Sequence, residues 1–110
     1  MEVTRILVTD LIMAGGLFAE EGYDIEQSAD NLADLKGQII VGYLEEQYPG
    51  VEVYADIAIQ REDGGLRPLE VLAFSEGGER IAEVSALLQA KLSQRIAEGM
   101  ADRSWAVRTK

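Results

Sequence analysis

The chain predicts an α+β fold, a two-layer sandwich in which a small, mainly antiparallel sheet carries two helices on one face. The element order is β-α-β-β-α. Three observations predict it. Val51, Val53, Ala55, Ile57 and Ile59 alternate with Glu52, Tyr54, Asp56, Ala58 and Gln60. Successive side chains of a strand point to opposite faces, so this spacing gives one apolar face and one largely polar face. Glu62-Asp63-Gly64-Gly65 then supplies positive-φ turn residues and 69–75 runs back, which reads as a hairpin. Apolar stripes at helical spacing flank the two strands on either side.

Each element has its own justification. Ile6-Leu7-Val8 and Leu11-Ile12-Met13 are too apolar for an exposed helix and include β-branched residues. Residues 3–13 therefore read as a buried strand, with Asp10 inside it and Gly15-Gly16 ending it. Residues 17–27 carry Glu20, Glu21, Asp24 and Glu26 and read as irregular. Ser28 is the expected N-cap of a helix, with Asp30 in its first turn. Leu32, Leu35, Ile39 and Tyr43, widened by Ile40 and Leu44, form its core-facing stripe as far as Gln47. Gly37 and Gly42 lie inside it, each costing about 1 kcal/mol relative to alanine. Tyr48-Pro49-Gly50 stops the helix, because proline disfavours α geometry in the residue before it.

After the turn, Pro68 cannot donate to a ladder and belongs at a strand start or edge. Leu69, Val71 and Ala73 face one way, and Glu70, Leu72 and Phe74 the other. Leu72 and Phe74 suggest that something covers the second face as well, either the first strand or another subunit. Gly77-Gly78 marks a joint, and 79–98 reads as the second helix on Ile81, Val84, Leu88, Leu92 and Ile96. Gly99 is its expected C-cap. The tail 101–110, flexible or docked, holds the single tryptophan, Trp105, between Arg103 and Arg108.

A chain of 110 residues with 47% apolar residues reads as one domain with a core of its own. There is no cysteine and no histidine. Disulfides, thiol catalysis and metal centres built on Cys or His are excluded, and the commonest general base is missing. No cofactor and no metal is expected. The net charge of -10 is unevenly placed: residues 1–79 hold 17 acids and 4 bases, residues 80–110 hold 3 acids and 6 bases. A surface this negative repels nucleic acid and anionic membranes. It suits a basic protein partner, or mutual attraction between acidic body and basic tail of two copies. Glu2 stands where a signal peptide would be basic, and Asp10 breaks the apolar run behind it. The expected location is the cytoplasm.

Carboxylates are the only catalytic groups in quantity. Asp10 is the first candidate, because a strand interior is an expensive place for a charge; its commoner fate is a place on the solvated face or near the strand end, or a pair with Arg5 or a backbone amide. Asp56 and Tyr54, with Glu52 on the same face and Glu70 across the hairpin, are weaker candidates for proton transfer or a hard cation. Glu20, Glu21, Asp24 and Glu26 lack the spacing of a calcium loop, and the three glycine pairs match no phosphate-binding motif. Leu72, Phe74, Trp105, Arg103 and Arg108 are the candidate interaction residues. Trp105 between arginines suits stacking on a ligand or an acidic partner, and more often such a residue pins a tail to the body. The function expected from all this is a small, acidic, non-catalytic protein-interaction module that self-associates as a dimer. An inhibitor, immunity or antitoxin-type protein covering a basic enzyme is the alternative, and a carboxylate enzyme with its site between subunits is another.

Overall fold

The structure, a computed structural model, describes residues 2–13, 22–60 and 69–109. Five elements follow the expected order: β1 (Val3–Met13), α1 (Ile25–Gln47), β2 (Glu52–Gln60), β3 (Glu70–Ser75) and α2 (Ala82–Met100). They make an α+β fold in which both helices pack on one face of a three-stranded sheet.

The strands lie in the order β2-β1-β3. β1 runs parallel to β2, from Arg5 beside Glu52 to Met13 beside Gln60, and antiparallel to β3, from Val3 beside Ser75 to Thr9 beside Glu70. Two expectations are corrected here. The sheet is mixed rather than mainly antiparallel, and β2 and β3 do not pair as a hairpin, because β1 lies between them. β1 is therefore a member of the sheet and no cover for its second face. The physical reason is that β1 is apolar on both sides and gains most from having a neighbour at each edge, whereas β2 is polar at alternate positions and tolerates an edge. Strands sit about 4.8 Å apart, so stepping over one requires about 10 Å. The nine residues between Gln60 and Glu70 reach that easily. The glycine-rich turn, Pro68 and Gly15-Gly16 fall outside the described residues.

Ile6 and Val8 of β1 and Val71 and Ala73 of β3 meet Ile40 and Leu44 of α1 and Leu88, Leu92 and Ile96 of α2 in the core. A register shift between Val3 and Arg5 brings Val3 onto the same side. A smaller cluster under the start of α1 joins Ile12, Ala29 and Leu32 to Trp105.

α1 begins earlier than expected. Asp24 is its N-cap, and the carboxylate accepts the Gln27 N–H at 2.9 Å, satisfying one of the first turn's orphan donors. Ser28 is instead buried inside the helix, where its Oγ accepts the Val107 N–H at 2.9 Å and ties the tail down. α1 ends at Gln47 before Gly50, whose φ of +82° fits a residue without a Cβ. α2 starts at Ala82, later than expected, and runs through Gly99 to Met100. Gly99 is thus no C-cap. A Cβ there would meet the tip of Ile39, so the residue sits where α1 and α2 touch.

The two edges of the sheet differ. On the outer side of β3, the Ala73 N–H donates to Ser85 Oγ at 2.9 Å, and the Ala73 carbonyl accepts the Ile81 N–H at 2.8 Å. The Val71 N–H donates to Gln89 Oε1 at 3.3 Å, and the Ser75 N–H to the Glu79 carbonyl at 2.9 Å. Ser85 is buried yet fully used, since its hydroxyl also donates to the Ile81 carbonyl at 2.8 Å. β3 is sealed by α2 and the turn before it. Among the described residues, nothing bonds to the outer edge of β2 in this way.

Candidate interaction surface

Side chains on the sheet face away from the helices fall into cross-strand rows. Glu52, Arg5 and Phe74 form one row, Tyr54, Leu7 and Leu72 the next, and Asp56, Thr9 and Glu70 the third. Leu11 beside Ala58 and Met13 beside Gln60 continue it on two strands. None of these apolar residues belongs to either core cluster, and no helix among the described residues packs on them. Leu7, Leu72 and Phe74 are half-buried, and Tyr54 is 52% exposed. The face is an apolar strip with carboxylates at its sides.

The ionic contacts on it are superficial. Arg5 Nε lies 3.4 Å from Glu52 Oε2 with both side chains more than half exposed, a geometry that adds little stability. Tyr54 donates its hydroxyl to Glu52 Oε1 at 2.8 Å. That hydrogen bond foremost, then the negative charge of Glu52 and slight desolvation, hold the phenol above its ordinary value of 10.0, with Arg5 opposing. At neutral pH Tyr54 is a hydrogen-bond donor, not a base.

The three candidate proton-transfer residues do not converge. Tyr54 and Asp56 lie on the open face, and Asp10 on the helix side of β1. Asp10 is 7% exposed; its Oδ1 accepts the Leu11 N–H at 2.8 Å and its Oδ2 lies 3.1 Å from Lys36 Nζ. Of the two partners expected for it, the backbone amide is the one used, while Arg5 lies beside Glu52. Lys36 also donates to the Leu11 carbonyl at 3.4 Å, so both charges of this buried pair are hydrogen-bonded. Glu70 lies two strands from Asp56, across Thr9 and not across a hairpin. Among the described residues no three acidic side chains gather as a cation site, and no helix is long and apolar enough to cross a membrane. Asp24 and Glu26 are the N-cap and first turn of α1, while Glu20 and Glu21 fall outside the described residues.

Trp105, 8% exposed, sits in the smaller core cluster with its indole N–H on the Met100 carbonyl at 3.2 Å. The tail is stitched to the start of α1: Asn31 Nδ2 donates to the Trp105 carbonyl, the Asp24 N–H to Val107, and the Thr109 N–H to Gly22. Arg103, at a φ of 54°, lies over both Trp105 and Tyr23, and Arg108 lies over Tyr23 at 5.0 Å from the ring centre. The basic residues thus share one aromatic ring far from Leu72 and Phe74 in the chain. Sequence reasoning missed Tyr23, Lys36 and Ser85, and gave Ser28 the role of a cap in place of its bond to the tail. Lys36 alone gave a signal, being the one base within α1, opposite a strand with a buried acid.

Comparison with known proteins finds no family model, no curated protein and no solved structure that matches this chain.

Proposed function

We propose that this chain is a non-catalytic protein-interaction module whose working surface is the open face of the sheet and whose partner is a basic protein. The observation that carries this reading is the strip of Leu7, Tyr54, Leu72 and Phe74, uncovered by either helix and flanked by Glu52, Asp56 and Glu70. Apolar side chains supply the area a partner buries, and the carboxylates at the sides select positive charge and speed the encounter. The net charge of -10 acts in the same direction. The scattered positions of Asp10, Asp56 and Tyr54 favour binding over proton transfer.

The test uses a short peptide of alternating lysine and phenylalanine. Backbone NMR shifts are expected to move at Leu7, Tyr54, Leu72 and Phe74. Raising NaCl from about 0.05 M to about 0.5 M shortens the range of the charges and weakens binding at least tenfold. Leu72→Lys should abolish the shifts without unfolding the chain. Binding that ignores both salt and Leu72→Lys overturns the reading.

A further inference from the structure

We propose that β2 pairs edge to edge with β2 of a second copy, antiparallel about Ile57, so that two three-stranded sheets become one of six strands. This goes beyond the reading above and stands without it.

The first argument is the contrast between the edges. Every strand edge left open is a template for another strand, and proteins ordinarily blunt such edges. Here β3 is blunted by Ser85, Gln89 and the backbone of Ile81 and Glu79. β2, with nine residues, is the longer edge, and among the described residues it is left open.

The second argument is shape. Beside β2 runs a groove under α1, with Ala33, Gly37 and Val41 on one side and Ala55 and Ile57 on the other. A Cβ at Gly37 would meet Ile57 Cδ1 in ordinary contact at 3.8 Å, whereas nothing stands within 4 Å of one at Gly42. Further along the same face of β2, Ile59 is 39% exposed. The strand thus carries a hollow at Ala55 and a projection at Ile59, one on each side of Ile57 and equally distant from it. In an antiparallel pair, residues opposite one another share a face and lie about 5 Å apart. Centring the pair on Ile57 sets Ile57 against its own copy and Ile59 of each chain against Ala55 of the other. A two-fold axis needs just this property, one patch complementary to itself. A foreign strand would have to supply both features independently.

The third argument is charge, which selects the register. Centring on Asp56 would oppose two carboxylates, which is destabilising. Centring on Ile57 instead places Asp56 against Ala58 and Tyr54 against Gln60, with no like charges opposed within β2. The pairing leaves the open faces of both copies side by side and unobstructed.

The test is sedimentation equilibrium of the full chain from about 10 μM to about 1 mM, the range in which a modest interface reports itself. A dimer is expected. Ile59→Lys, at a partly exposed position, should keep the helical circular dichroism and weaken association at least about 100-fold, because an inward-facing lysine on an edge blocks pairing. The chain has no cysteine, so single thiols can be placed at will. Ile57→Cys is expected to crosslink with itself under mild oxidation. Ala55→Cys and Ile59→Cys each fail to crosslink alone and succeed when mixed. A strict monomer across the range overturns the proposal. So does a dimer indifferent to Ile59→Lys, or one that crosslinks through Leu72→Cys in place of Ile57→Cys. None of these outcomes alters binding of the cationic peptide to the monomer's open face, so the two readings fail separately.

Discussion

Asp10 and Lys36 form a buried pair whose worth depends on both members being present. Side chains 5% and 12% exposed have lost most of their water, and what each gains back comes from the other and from the backbone of Leu11. Removing one partner leaves an uncompensated charge. Lys36→Met is therefore expected to cost about 3 kcal/mol in urea unfolding. Adding Asp10→Asn should recover more than half of that loss, since no ionised group then remains inside and the amide oxygen still accepts the Leu11 N–H. On the opposite face, Glu52 is the main cause of the raised phenol of Tyr54. Glu52→Gln should bring its ultraviolet titration midpoint down towards the ordinary value, read as the difference from Tyr54→Phe. Arg5→Gln should push it further up. The sign follows from the causes: the carboxylate disfavours phenolate, and the guanidinium favours it.

At the scale of elements, two glycines within helices call for opposite outcomes. Gly42 has open space around it, so Gly42→Ala should raise stability by about 1 kcal/mol through helix propensity alone. Gly99→Ala should lose that gain, because the new methyl meets Ile39 where α1 and α2 touch. Thermal melts of the two variants make the comparison directly. Much of the element map was legible in the chain, since it depends on periodicity, which is local. The bounds of β1 came out as read, and β2 and β3 began one residue late. What was not legible depended on distant partners. Ser28 and Asp24 are both good caps, and only the tail's Val107 decides that Ser28 is used elsewhere. The hairpin looked compelling because a glycine turn joins two strands of matching pattern. Yet pairing order is set by which strand most needs two neighbours, and that strand is β1. The open face was anticipated through Leu72 and Phe74; its third member, Leu7, and the rows joining them to Tyr54 follow from a register that no local pattern encodes.

For the molecule as a whole, charge and association pull in separate directions. Two copies at -10 each repel, so pairing through β2 should tighten as salt rises, whereas binding of a cationic partner should weaken. Sedimentation and peptide titration over the same salt series are expected to show these opposite slopes. The docked tail also bears on stability. Trp105 closes the smaller core cluster, so Trp105→Ala should cost about 3 kcal/mol or more in urea unfolding.

That residue is also the chain's sole indole, set in the seam where the last segment meets the beginning of α1. Its emission is a built-in lamp for the seam. If the final residues peel away before the helices melt, the light reddens while far-ultraviolet ellipticity holds steady, and the lag between the two signals gives the free energy of that detachment without any added label.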